Sequence, residues 1–119
     1  MKISEFDDTL YEMSNYDSNT TGLDNSITMW VRAEPNKLNH SNYRVKFEKD
    51  NMFSAIYTVS SNPVIAEETK NKKYMLSNKQ KQKIVAFIKK FRSLIIGHID
   101  AKLDSTALGL GIIKDRNDY

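Results

Sequence analysis

Between Ser77 and Asp100 the chain reads SNKQKQKIVAFIKKFRSLIIGHID. Ile84, Phe87, Ile88, Phe91, Leu94, Ile95 and Ile99 recur there at steps of three and four. That spacing lines one face of an α-helix and no face of a strand. A helix this long with a wide apolar stripe must lay that stripe on something. Its start is marked as well: Ser77 followed by Gln80 makes a capping box, and Leu76 precedes it where a hydrophobic staple sits. Gly97 either ends or kinks the helix, or the helix runs on towards Lys102.

The partner surface comes from upstream. Ser26–Ala33 alternates Ile27, Met29, Val31 and Ala33 with Thr28, Trp30 and Arg32, the period of a half-buried strand. Pro35–Asn42 is a connection. Tyr43–Lys49 is a second strand, with Tyr43, Val45 and Phe47 on one side and Arg44, Lys46 and Glu48 on the other. Asp50-Asn51 is a two-residue turn candidate. Met52–Ser60 is a third strand rich in aromatic and β-branched residues. Its register is ambiguous, because Phe53, Ala55, Tyr57 and Val59 compete with Met52, Ile56 and Thr58. After Asn62-Pro63, Val64–Ala66 reads as a short edge segment, and Glu67–Lys73 as a solvated loop.

At the start, Ile3, Phe6, Leu10 and Met13 share a face of a short helix with Ser4 and Asp7 at its entry. Asn15–Asn25 is polar and rich in turn formers, and reads as a loop or a mobile linker. At the other end, Leu108–Ile113 reads as a last strand or a packed extended segment, and Lys114–Tyr119 as a frayed end. The expected fold is therefore α+β. An antiparallel three- to four-stranded meander packs on one long C-terminal amphipathic helix, with a short N-terminal helix. One domain spans 1–119: helix and polar loop in 1–25, strands in 26–66, main helix in 77–100, tail in 101–119.

Composition narrows the function classes. The 119 residues include no cysteine, which removes disulfides, thiol catalysis and cysteine-held zinc. The acidic start lacks the apolar run of a signal peptide, and no stretch has the length of a membrane span, so a cytoplasmic setting is expected. Four glycines are too few for a phosphate-cradling loop. No dinucleotide, Walker, zinc-protease, serine-hydrolase or EF-hand motif occurs. The sequence reads against an enzyme and calls for no cofactor.

Net charge is only +3, yet it is segregated. Residues 1–34 carry seven acids against two bases, and residues 70–92 carry nine bases and no acid. Lys72, Lys73, Lys79, Lys83, Lys90 and Arg92 form a candidate binding surface for phosphates or for an acidic protein. The plainer reading of such a run is the solvated face of an amphipathic helix. Trp30, His40 and Arg44 form a candidate secondary surface, and Tyr43, Tyr57 and Trp30 could stack on bases. His40 and His98 could act as an acid and base pair, with Arg44 beside His40, as in a small ribonuclease, although nothing in their spacing joins them. Glu5, Asp7, Asp8 and Glu12 could converge on a cation, though acids of that kind usually line a solvated face.

The run of strands SITMWVRAE, HSNYRVKF and FSAIYTVSSNP followed by a basic amphipathic helix resembles small proteins of Gram-positive phages and integrative elements. The resemblance covers about Ile27–Ile99 and carries no functional residue with it. It implies a genome-mobility or host-defence setting, in which small proteins act as stoichiometric binders, including inhibitors of CRISPR nucleases. The expected function is thus a non-enzymatic binding protein acting through a charged surface on a protein or nucleoprotein target. Direct DNA or RNA binding through 70–92 is the alternative, and a small RNase-like toxin the third.

Overall fold

The computed structural model describes residues 13–34 and 43–116. It is an α+β fold: five antiparallel strands in the order β1-β2-β3-β4-β5, with helices on one face. The strands are β1 (Met13–Tyr16), β2 (Ile27–Arg32), β3 (Arg44–Lys49), β4 (Met52–Thr58) and β5 (Ile65–Glu68). The helices are a single turn α1 (Ser18–Thr21), the long α2 (Asn78–Ile99) and α3 (Ser105–Asp115), with a 3₁₀ turn at Lys72–Tyr74. The meander and the long helix follow the sequence pattern. The sheet has one strand more than expected, and a second helix follows the first.

The central hairpin forms for local reasons. Asp50 and Asn51 both take left-handed backbone, φ 53° and 65°, as a two-residue hairpin turn of matching twist demands. The pairing Lys49↔Met52 and Glu48↔Phe53 then jumps to Phe47↔Ala55. Ser54 is the extra residue of a β-bulge. This resolves the ambiguous register of β4: beyond the bulge Ala55, Tyr57 and Val59 face the core, while Phe53 and Ile56 face out. Ser54 stays buried, and its hydroxyl donates to the Tyr74 carbonyl at 2.5 Å, so the bulge anchors the 3₁₀ turn.

Helix α2 lays Ile84, Phe87, Ile88, Phe91, Ile95 and Ile99 on the inner sheet face, against Met29, Val31, Val45, Phe47 and Tyr57. The capping box is present in full: the Gln80 amide nitrogen donates to Ser77 Oγ at 3.1 Å and the Ser77 amide to Gln80 Oε1 at 2.8 Å. Gly97 neither ends nor bends the helix. The backbone departs from helical geometry at Phe91, φ −104° and ψ 15°. The end is a Schellman turn, with Ala101 N–H on the His98 carbonyl and Lys102 N–H on the Gly97 carbonyl. Ala101 occupies its left-handed position at φ 59°, where glycine is the usual residue. Ala101→Gly is expected to raise stability by about 0.5–1 kcal/mol, read by urea or thermal denaturation. A loss of stability would show that the turn is not strained.

Two stretches differ from their sequence reading. Asn15–Asn25 is not a loop: β1 ends inside it, and Asp17 then caps α1, accepting from the Asn19 amide at 3.0 Å. Gly22, at φ 76°, closes that turn. Leu108–Ile113 is not a strand but the middle of α3, capped by Asp104, which accepts from the Ala107 amide at 2.7 Å. Its glycines suggested extended structure. Gly111 instead allows a close helix crossing, since a Cβ there would lie 2.8 Å from Leu94 Cδ1. Lys114 and Asp115, expected to be frayed, belong to α3. Glu67 and Glu68, expected in a loop, extend β5. The short helix expected over Ile3–Met13 lies outside the described residues except for Met13, which opens β1.

Candidate functional site

The lysines of residues 70–92 do not make one patch. A helix of 3.6 residues per turn puts Lys79, Lys83 and Lys90 on one stripe, because they are four and seven residues apart. Lys79 and Lys90 are exposed, and Lys83 is half-buried with its Nζ 3.7 Å from Asp24 Oδ1. The Gln80 side-chain amide donates to the other Asp24 oxygen at 3.0 Å. One acid of the N-terminal third therefore does fold back on the basic helix. Leu94 continues the stripe, and beyond it Lys90, Phe91 and Leu94 share an open hollow of about 450 Å³ with Lys114 and Asp115 of α3. Lys114 is an addition that the sequence does not suggest, because only the helix Ser105–Asp115 brings it there.

The other three members of the set lie elsewhere. Arg92 falls nearly opposite the stripe, half-buried, on the flank shared with Lys81. Lys81 pairs with Glu68 of β5 at 3.2 Å. Lys72 and Lys73 are exposed on the 3₁₀ turn, with Lys73 Nζ 5.6 Å from the Tyr74 ring centre.

Trp30 and Arg44 do come together, on the outer face of the sheet. The register aligns Asn15, Trp30, Lys46, Ile56 and Glu67 in one row across all five strands. Trp30 donates its indole N–H to Glu48 at 2.8 Å, and Lys46 Nζ sits 5.2 Å from its ring centre. Arg32, Glu34, Arg44 and Ile56 join Trp30 around a shallow hollow of about 240 Å³. Arg32, Arg44 and Lys46 alternate there with Glu34, Glu48 and Glu67, so this face carries no net sign. Arg32 and Lys46 were legible in principle, since both fall on the outward alternation of their strands. His40 lies outside the described residues.

The aromatic partners for base stacking are not at the surface. Tyr43 and Tyr57 are both buried in the core, and only Trp30 of the three reaches solvent. Tyr43 donates its hydroxyl to Asp100 at the end of α2. That hydrogen bond, with burial and the Asp100 charge, pushes its pKa up to about 12. Burial, then the nearby Glu68 charge, raises Tyr57 to about 12 as well. His98 is likewise a core residue, 1% exposed, with Nδ1 2.9 Å from the Leu103 carbonyl oxygen. It holds the α2–α3 connection and is not presented to a substrate. Glu5, Asp7, Asp8 and Glu12 lie outside the described residues. Among the described residues no three histidines or acids converge as a metal site, and no helix is long and apolar enough to cross a membrane.

A further hollow of about 480 Å³ runs between β1 and α3. It is lined in part by Met13, Leu110 and Ile113, exposed by 49%, 62% and 47%. Nothing in the sequence marked it, because it depends on α3 being a helix. Comparison with protein-family models, with curated proteins and with solved structures finds no match.

Proposed function

We propose that this chain is a non-enzymatic binding protein that engages an acidic protein or nucleoprotein surface through the lysine stripe of α2. The observation that carries the reading is the alignment of Lys79, Lys83 and Lys90 on one side of the helix, continued by Lys114 on α3. The outer sheet face, by contrast, interleaves its charges. Attraction through such a stripe speeds encounter and fixes orientation, and it weakens with salt. The setting implied by the resemblance, a phage or mobile-element inhibitor of a host defence nuclease, is part of the proposal.

The test is capture of a partner from a lysate of the native host, with the unmodified chain and with Lys79, Lys83 and Lys90 all replaced by Glu. The unmodified chain should retain a partner that added salt releases. The triple variant should lose it while its melting temperature changes little. Equal capture by both would overturn the assignment of the stripe. A DNA duplex and a single-stranded RNA serve as further probes. Steeply salt-dependent binding of either by the unmodified chain would assign the stripe to nucleic acid instead.

A further inference from the structure

One cell on the outer face of the sheet reverses the usual cross-strand pattern of charge. Trp30 and Lys46 are register partners on β2 and β3. Arg32 and Arg44 lie two residues from them, both towards the same end of this antiparallel pair, and so on the same outer face. All four line the shallow hollow of about 240 Å³, together with Ile56 and Glu34. Three bases therefore stand against one acid among the described residues of the hollow. Over the whole face the charges balance, but the other two acids lie outside the cell. Glu48 pairs with Thr28 in the row behind Trp30, and Glu67 is on β5. Like charges gathered on adjacent strands cost stability, and an anion placed among them removes that cost.

The aromatic ring is the second feature. Glu48 accepts from the Trp30 indole N–H at 2.8 Å, which fixes the orientation of the ring on the sheet. Lys46 Nζ lies 5.2 Å from the ring centre. Trp30 is half-buried, while its inward neighbours Met29 and Val31 are buried under α2.

We infer that this cell binds single-stranded nucleic acid, with one unstacked base on the Trp30 ring and the neighbouring phosphates on Arg32, Arg44 and Lys46. A cell of three bases selects an anion, and a fixed aromatic ring selects a planar group. A nucleotide of a single strand offers both, and such platforms tolerate any base sequence. The bases of a duplex are stacked within it and do not reach the ring. The hollow is smaller than the roughly 300–1,000 Å³ of a small-molecule pocket, so a free nucleotide would bury too little of itself. A strand adds contacts at its neighbouring nucleotides. An acidic peptide would meet the bases and leave the ring unused. The site faces away from α2, and it stands independently of the lysine stripe.

Trp30 is the single tryptophan of the chain, so its fluorescence reports on this site alone. Titration of the full chain with a single-stranded oligothymidylate of about ten nucleotides should quench it, and added salt should reverse the quenching. Arg32→Gln with Arg44→Gln should weaken binding and lower the slope of log affinity against log salt by about 0.7 for each arginine. Trp30→Ala, followed by the anisotropy of a labelled oligonucleotide, should weaken binding about 10- to 100-fold. Circular dichroism verifies that each variant is folded. The chain with Lys79, Lys83 and Lys90 all replaced by Gln should still be quenched, which assigns the binding to this face and not to the stripe. Absence of quenching in the unmodified chain overturns the inference. So does quenching that the arginine pair does not alter, that a DNA duplex or thymidine monophosphate produces equally, or that the lysine variant abolishes.

Discussion

Phe91→Ala should destabilise the protein by about 3–5 kcal/mol, enough to unfold much of a marginally stable domain of this size. Phe91 is 2% exposed and packs its ring 5.1 Å from that of Phe87, both of them directed at the sheet. It also sits where α2 leaves helical geometry, so a smaller side chain there removes packing at the point where the helix bends over the core. Relaxation around the site is restricted, because Phe87 and Ile95 on the same stripe are already fixed against the strands. Urea denaturation measures the change. An unaltered midpoint would mean that α2 does not organise the core.

Alkaline pH should produce the second large effect. Tyr43 and Tyr57 each titrate near 12 in the folded protein against an ordinary 10.0. Both pKa values are raised, so the folded state holds these protons more tightly than the unfolded chain. Between pH 10 and 12 the unfolded state binds fewer protons, and stability falls as pH rises. The contribution is fully present below pH 10 and is lost through pH 12. For Tyr57 the loss is about 1–2 kcal/mol after allowance for solvent screening. Tyrosinate absorbance followed together with circular dichroism should show these two hydroxyls ionising together with unfolding. Tyr57→Phe should flatten part of the slope. Ionisation of all tyrosines near pH 10 with the fold intact would contradict the burial.

What the sequence revealed was what periodicity controls. Helix α2, its Ser77–Gln80 box and the inward faces of β2 and β3 are repeated local signals, and the structure carries each of them. The register of β4 was not legible, because a single residue, Ser54, breaks the alternation and its partner is the distant Tyr74 carbonyl. Helix α3 departs from its sequence pattern because Gly109 and Gly111 lower helix propensity, and what compensates is tertiary: the crossing against Leu94 and the ring of Tyr16 beside Gly109. β1 is hidden in the sequence for a related reason. Met13–Tyr16 is too short and polar to announce a strand, and it becomes one by pairing with the strong β2.

The candidate sites divide along the same line. The stripe of Lys79, Lys83 and Lys90 could be read directly from helical spacing. The meeting of Trp30 with Lys46 and Glu48 needed the pairing of β2 with β3. The burial of Tyr43, Tyr57 and His98 was hidden because an aromatic or imidazole side chain serves a core and a surface equally well, and only the fold assigns it.

The links between α3 and the β1–α1 segment also govern the order of folding. Tyr16 bonds to Ser105 across 89 residues, and the Arg116 guanidinium reaches the Asn19 carbonyl across 97. The central hairpin needs only its own turn, and α2 nucleates locally, so both can form early. β1 and α1 are synthesised long before α3 yet receive their cover from it. Closing so long a loop costs entropy before any contact rewards it, and rates fall as sequence separation grows. The expected course is a β2–β3–β4–α2 nucleus that forms first. Residues 13–21 dock in the final, slowest step, when α3 arrives to cover Tyr16 and α1.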